Sequence, residues 1–421
     1  MASDANIVGP FDRKRLDALA ATFRQEDALA ALTVATASAG DLARQPKLAI
    51  KPFTVDSAQA AVSPDCSYRL LVGALESAKR SITAYVYNIG AQFLLDVLKA
   101  KHASGVKIRV MVDANDPHDK KSREFENLKK LGIAVGLAPS TGDRRVFTVC
   151  HQKYVVVDGT TTVVESANWA ESSIPVAKKV GQYKAGNREW LIRVDSKDVA
   201  AWFEDLFDKD WAIPAKVGLA LVAPSPQLTT ELQSAALFTA PSQLFDIKSA
   251  TKQVGLLPLI SPVNYLDEVQ KAIAKAKRRV YIQQQYILAG DGVSDLLEVV
   301  HEKAKTCDVR IIVSPKFVKG WESSVSTLRA AGLLRTLRAQ NLTHVIHCHN
   351  KGVIIDDDRT VVSSTNWSEN SILRARETGF LVSSKELTGY YASVFEQDWQ
   401  DGIAPARVKA LHVSLSPGEM V

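Results

Sequence analysis

The chain carries most of its motifs twice at a fixed separation, and that repetition limits the folds open to it. Ser63-Pro64 recurs as Ser261-Pro262, and Ala78-Lys79-Arg80-Ser81-Ile82 as Ala276-Lys277-Arg278-Arg279-Val280. His151-x-Lys153 recurs as His349-x-Lys351, and Asn168-Trp169 as Asn366-Trp367. Each pair lies 198 positions apart. Further on the offset falls to 188, where Arg188-Glu189 answers Arg376-Glu377 and Phe207-Asp208-Lys209-Asp210-Trp211 answers Phe395-Glu396-Gln397-Asp398-Trp399. The first copy therefore holds about ten additional residues after its motif. Two diverged copies of one unit also suit 421 residues, too many for one ordinary core.

Each copy reads as helices alternating with strands. In the first, a helix at Tyr68–Lys79 leads to a strand at Ser81–Ile89, and a helix at Phe93–His102 leads to a strand at Val106–Asp113. The second repeats this with Leu266–Lys277, Val280–Leu288, Val293–Lys305 and Val309–Ser314. Such alternation predicts an α/β fold with a mixed sheet in each half. The expected division is 61–213 and 259–421, joined by a linker at 214–258 that holds Pro224, Pro226, Pro241 and Pro258. Residues 1–60 match neither copy and read as a helical extension, whose Leu16, Leu19 and Phe23 stripe suits docking.

Charge and targeting signals narrow the setting only a little. The net charge of +6 and pI near 8.9 fit a phosphate-bearing partner and equally fit an ordinary solvated surface. Met1–Arg15 has no apolar stretch of the secretory kind, and no run is long enough to span a bilayer. Cys66, Cys150, Cys307 and Cys348 form no C-x-x-C pair. A cytoplasmic location follows as the expectation, and a secreted form lacking its signal would look the same.

The chemistry sits in two hairpins. Strands are predicted at Val149–Val157 and Thr161–Ala167 around Asp158-Gly159, and again at Val345–Ile355. Alternate residues of a strand share a face, so His151 stands beside Lys153 and His349 beside Lys351. The returning strands bring Ser166 and Asn168, or Ser364 and Asn366, close to them. Lysines and amides of this kind neutralise the non-bridging oxygens of a phosphodiester. One imidazole attacks phosphorus while the other protonates the leaving oxygen, two tasks that one group cannot perform in a single step. No cofactor and no metal is called for. His347 shares a face with His349, but its counterpart is Val149, so a metal pair there carries little weight. Trp169, Trp367, Trp211 and Trp399 read as core, as do Cys150 and Cys348.

These residues resemble the phospholipase D superfamily, whose signature is H-x-K-x4-D-x6-G-S-x-N. The resemblance covers roughly 62–213 and 259–403. It implies two tandem α/β/α sandwich domains related by a pseudo-two-fold axis, with both motifs meeting in one cleft. It also implies a covalent phosphohistidine that water or an alcohol resolves, with His151 as nucleophile and His349 as general acid. The candidate catalytic set is then His151, Lys153, Asp158, His349, Lys351 and Asp356. Within it the two aspartates are expected to be structural or electrostatic rather than proton carriers. Glu189 and Glu377 are the candidates for a glutamate that hydrogen-bonds a motif histidine, and Ser166, Asn168, Ser364 and Asn366 for phosphate binding or support. Glu165 and Ser363 replace the family glycine, a change expected to reshape the pocket floor. The two aspartates set the chain apart from the tyrosyl-DNA phosphodiesterase branch, and the lack of membrane helices from typical cardiolipin synthases.

The substrate is a phosphodiester of phospholipid or nucleic acid, and a monomer suffices for one site. Phospholipid head groups rank first, because two-motif chains in this superfamily are often lipid enzymes. Lys316–Trp321 offers contact with a membrane surface on one reading and an ordinary loop on the other. A nuclease is the second reading, supported by Lys178, Lys179, Tyr183 and Lys184 in the additional loop Pro175–Asn187. An inactive binding protein on the same fold ranks last, since both motifs are complete.

Overall fold

A computed structural model describes residues 8–30, 42–113, 128–140, 144–214 and 238–408. Pro224, Pro226 and the first seven residues lie outside these. In chain order the strands are β1 (Phe53–Val55), β2 (Ala58–Ser63), β3 (Ser81–Val86), β4 (Lys107–Val112), β5 (Ala134–Leu137), β6 (Lys153–Val157), β7 (Thr161–Glu165) and β8 (Glu189–Asp195). There follow β9 (Lys248–Ser249), β10 (Val254–Ser261), β11 (Arg279–Gln284), β12 (Asp308–Val313), β13 (Leu337–Ala339), β14 (Lys351–Ile355), β15 (Arg359–Ser363) and β16 (Glu377–Ser383). They make two eight-stranded mixed sheets, ordered β5-β4-β3-β6-β7-β8-β2-β9 and β1-β10-β16-β15-β14-β11-β12-β13. The repeat is thus a repeat of topology, and the two-domain α/β architecture follows from it.

The central strands explain why the halves associate. Every residue of β6, β7 and β14 is buried. Runs such as Tyr154-Val155-Val156-Val157 lack polar alternation, as strands covered on both faces do. Strands β6–β8 pack against β14–β16, so one hydrophobic core runs through both halves. Trp190 of the first half stacks on Tyr391 of the second, and Phe203 meets Phe380 with ring centroids 5.4 Å apart. Trp190 also covers Gly352 so closely that any side chain there would collide with the indole.

The predicted division at 60/61 and 258/259 is corrected by the sheets, because β2 and β10 cross those boundaries. The predicted linker contributes β9 to the first sheet, while β1, from the predicted extension, pairs antiparallel with β10 of the second. The halves therefore exchange short edge strands, which an alignment of the repeats cannot show because β1 and β9 belong to neither copy's matched motifs. The helix Arg13–Ala30 buries Leu16 and Ala20 against the second half, with Leu19 and Phe23 beside them. Arg13 pairs with Asp295, and Arg24 with Glu369, at the same junction.

Both motif hairpins turn on an aspartate with positive φ, Asp158 at 55° and Asp356 at 53°. Asp158 is followed by Gly159 at φ 62°, the pair of left-handed residues that a tight hairpin requires. The Asp158 carboxylate accepts from the backbone amides of Lys79, Arg80 and Ser81, and Asp356 does the same at Lys277, Arg278 and Arg279. These bonds hold both acids below the usual carboxylate range despite partial burial. In the structural role expected of them, the aspartates tie the far end of each hairpin to its neighbouring strand.

Candidate active site

The predicted motif strands begin late. Strands β6 and β14 start at Lys153 and Lys351, and the residues before them leave their own sheet to pair with the other half. The Arg376 amide donates to the Val149 carbonyl at 2.8 Å and the His151 amide to the Arg376 carbonyl at 2.9 Å. Reciprocally, the Arg188 amide donates to the His347 carbonyl at 2.7 Å and the His349 amide to the Arg188 carbonyl at 3.1 Å. Each Arg-Glu dipeptide thereby grips the motif of the opposite copy, as contacts about a two-fold axis must.

The arginine side chains clamp the same junction. Arg376 makes a bidentate pair with Asp210 at 2.7 and 2.9 Å, fully buried. Arg188 makes the equivalent pair with Asp398 at 2.9 and 3.0 Å and reaches Asp65 at 2.8 Å. Burial opposes both guanidinium charges, but the facing carboxylates outweigh it and raise both pKa values. Sequence reasoning recorded these residues as repeat markers and missed their role. The signal was available: Arg and Asp recur at the same offset of 188, as partners across a symmetric interface would.

The glutamates next in line complete the crossing. Nδ1 of His151 lies 3.0 Å from Oε2 of Glu377, and Nδ1 of His349 lies 2.7 Å from Oε1 of Glu189. An ionised carboxylate at Nδ1, as Glu189 is at His349, favours the tautomer with its hydrogen there. Ser166 donates to Glu189 and Ser364 to Glu377, each at 2.6 Å. The two serines support the glutamates from behind. Ser173 adds a third bond to Glu189 at 2.8 Å. It is the repeat partner of Ser371 at the offset of 198, a further signal that sequence reasoning passed over.

Lys153 and Lys351 are fully buried, and each ammonium donates to the carbonyl of its own motif histidine. The Oδ1 atoms of Asn168 and Asn366 are buried without a hydrogen-bond partner. All eight predicted groups of histidine, lysine, asparagine and glutamate thus belong to the motif hairpins and the Arg-Glu strands that meet at this junction. Among the described residues, no three His, Cys, Asp or Glu side chains stand together as metal ligands.

Glu165, at the family-glycine position, is buried and accepts from Nε1 of Trp169 at 2.6 Å. Burial pushes its pKa up to about 8. In the second half the hydroxyl of Tyr265 serves Trp367 in the same way at 3.1 Å, and position 363 is Ser. The carboxyl therefore replaces a missing tyrosine hydroxyl. Trp169 and Trp367 are fully buried, and the four cysteines are buried and free.

Packing several basic groups into one buried cluster depresses all of them. Burial, then the charges of Lys153, Lys351 and His349, holds His151 well below the ordinary histidine value. Burial also brings His349 down to about 4 and Lys351 to about 8, while the Glu377 carboxyl rises to about 8. An anion beside this cluster would favour the protonated forms that burial opposes. As pH rises through about 8, Lys351 loses its proton and Glu377 loses its own. Both changes remove positive charge from the free site. The expected result is a kcat/KM for an anionic diester that falls above about pH 8, measured as a pH–rate profile; a profile flat to pH 10 would contradict this assignment.

The model described as "Cardiolipin synthase, PLD-like domain" matches residues 71–211 and 269–399, one match per copy. Cardiolipin synthase A of Pseudomonas fluorescens is 23% identical over 357 residues, 82% of this chain and 69% of the relative. Mitochondrial cardiolipin hydrolase of Xenopus tropicalis is 26% identical over 147 residues, 35% of this chain and 62% of the relative. The chain thus spans less than two thirds of that curated relative's length. The crystal structure of phosphatidylserine synthase from Haemophilus influenzae superposes with a TM-score of 0.57 at 15% identity, over 90% of this chain and 96% of that one, and shares the fold. With both copies matched, the chain belongs to the phospholipase D superfamily.

Proposed function

We propose that this enzyme cleaves or exchanges the head group of a phospholipid through a phosphohistidine on His151. The observation that carries the chemistry is the crossed pairing of His151 with Glu377 and His349 with Glu189, which brings the two imidazoles to one junction between the halves. Nε2 of His151 forms a bond to phosphorus as the bond to the leaving alcohol breaks, and His349, protonated beside Glu189 once the anionic diester is bound, gives that oxygen its Nε2 proton. Water or a second alcohol then attacks phosphorus, its proton passes to His349, and the bond to His151 breaks. Lys153, Lys351, Asn168 and Asn366 carry the charge on the equatorial oxygens.

The lipid substrate is supported by the relatives named for cardiolipin, one a hydrolase and one a synthase. Water resolves the intermediate in the first kind of reaction and an alcohol in the second. Setting typical cardiolipin synthases aside for want of an apolar span was an inference about membrane attachment, whereas the matched segments carry the site. Among the described residues no helix is long and apolar enough to cross a membrane. Lys316–Trp321 gives the lipid reading no surface anchor, because Trp321 is buried in the second core.

A nuclease remains the second reading because Lys178, Lys179 and Lys184 are exposed on the additional loop. Against it, the Tyr183 hydroxyl is tied to the His344 carbonyl at 2.9 Å, which leaves that ring less free to stack on a base. The test is turnover in EDTA of cardiolipin and phosphatidylglycerol vesicles beside single- and double-stranded DNA and RNA. Head-group release lost in His151→Ala and His349→Ala is the expected outcome. Cleavage of nucleic acid alone, lost in the same variants, would replace the lipid reading.

A further inference from the structure

The two halves supply equivalent catalytic groups, but they do not surround them equally. In the first sheet Val86 stands directly opposite Lys153, and in the second Gln284 stands directly opposite Lys351. Directly opposed residues on neighbouring strands share a face, so each side chain lies beside its lysine. Likewise Val149 precedes His151 by two residues, while His347 precedes His349. The imidazole of His347 lies 5.7 Å from that of His349, centroid to centroid, and is held by Ser314 through Nδ1 at 2.6 Å and packed on Phe317.

Both positions are polar in the second half only, and both are unsatisfied there. Gln284 is fully buried with neither amide atom hydrogen-bonded, and Nε2 of His347 is buried without a partner. An unpaired buried amide or imidazole costs free energy. Valine at the equivalent places of the first half shows that the fold does not require polar groups there. We infer that Gln284 and His347 form a hydroxyl-binding subsite on the His349 side of the cavity, which receives the polyol part of a glycerol-type head group or acceptor alcohol.

The chemistry of the pair selects that ligand class. An amide and a neutral imidazole each offer donors and acceptors, as hydroxyl groups require. Burial and the charges of His349, Lys316 and Lys351 keep the His347 imidazole neutral. The same positive surroundings disfavour a cationic head group such as choline or ethanolamine. The position also suits the reaction, since His349 is the group that exchanges a proton with the departing and arriving alcohol. This last step rests on the lipid-transfer reading proposed above.

The experiment compares alcohols as acceptors from one phosphoenzyme. The full chain reacts with bis(4-nitrophenyl) phosphate in water containing equal molar glycerol and 1-propanol, and the two transfer products are quantified. The wild-type enzyme is expected to favour glycerol, and Gln284→Val with His347→Val to lower the glycerol-to-propanol ratio about tenfold. Valine is the residue that the first half already packs at both places. A wild-type enzyme that does not prefer glycerol would overturn the subsite, whatever the variants do. So would a ratio unchanged in the double variant, even if the total rate fell. A ratio that shifts in an enzyme inert on all phospholipid vesicles would keep the subsite and remove the lipid substrate, so the two readings fail separately.

Discussion

Replacing either His151 or His349 by Ala should reduce steady-state turnover on the order of 10⁴-fold or more, and replacing both should cost little beyond either one. The reason is that the two imidazoles serve one reaction at one cavity. If each half were an independent site, one substitution would halve the rate and the second would remove the rest. The reciprocal backbone bonds, with His151 held by Arg376 and His349 by Arg188, rule against independent sites. The measurement is the steady-state rate of the two single variants and the double, on a diester whose leaving group needs protonation. Additive losses, or a single variant with half the activity, would contradict the shared site.

Arg376→Met should be strongly damaging although Arg376 does not touch substrate. It strands the fully buried Asp210, whose remaining side-chain partner is Gln152 at 3.3 Å. Removing one member of such a pair costs about 3–5 kcal/mol, because the desolvated charge is left uncompensated. Arg188→Met should cost at least as much, since it strands both Asp65 and Asp398. Replacing Asp210 by Leu as well should recover most of the loss, as apolar substitutes for whole buried pairs do. Urea denaturation of the two Arg376 and Asp210 single variants and the double forms the cycle. Losses that simply add would show that the pair is not coupled across the halves.

Much of this architecture was legible because repetition exposes what a single copy conceals. A lone H-x-K-x4-D is a weak pattern, whereas two in register, each followed by Ser-x-Asn-Trp and later by Arg-Glu, predicted both sheets and named the groups that meet. The helices were legible for an ordinary reason: apolar periodicity placed Phe93–His102, and the helix runs Gln92–Ala103. What stayed hidden was the crossing. Glu189 could have served His151 as easily as His349 on sequence grounds, since no local pattern says which half a strand edge will meet. The late starts of the motif strands have the same cause, because Val149–His151 pairs with the other half rather than with β3. The exchanged strands β1 and β9 are too short to announce themselves by alternation. Glu165 is a different case. As a departure from a glycine it suggested a reshaped floor, and the sequence did not show that its carboxyl accepts from Trp169.

The central claim is one shared cavity in which His151 carries the phosphoryl group and His349 moves the protons. The direct measurement uses His349→Ala with bis(4-nitrophenyl) phosphate, whose leaving group departs without protonation. Attack by His151 should still proceed, while the hydrolysis that needs His349 stalls. A burst of a single 4-nitrophenolate per chain is expected, and acid-sparing quench with peptide mapping should find the phosphoryl adduct on His151. His151→Ala should give neither burst nor adduct. An adduct on His349 in the His151→Ala variant, or adducts on both histidines of one wild-type chain, would contradict the account.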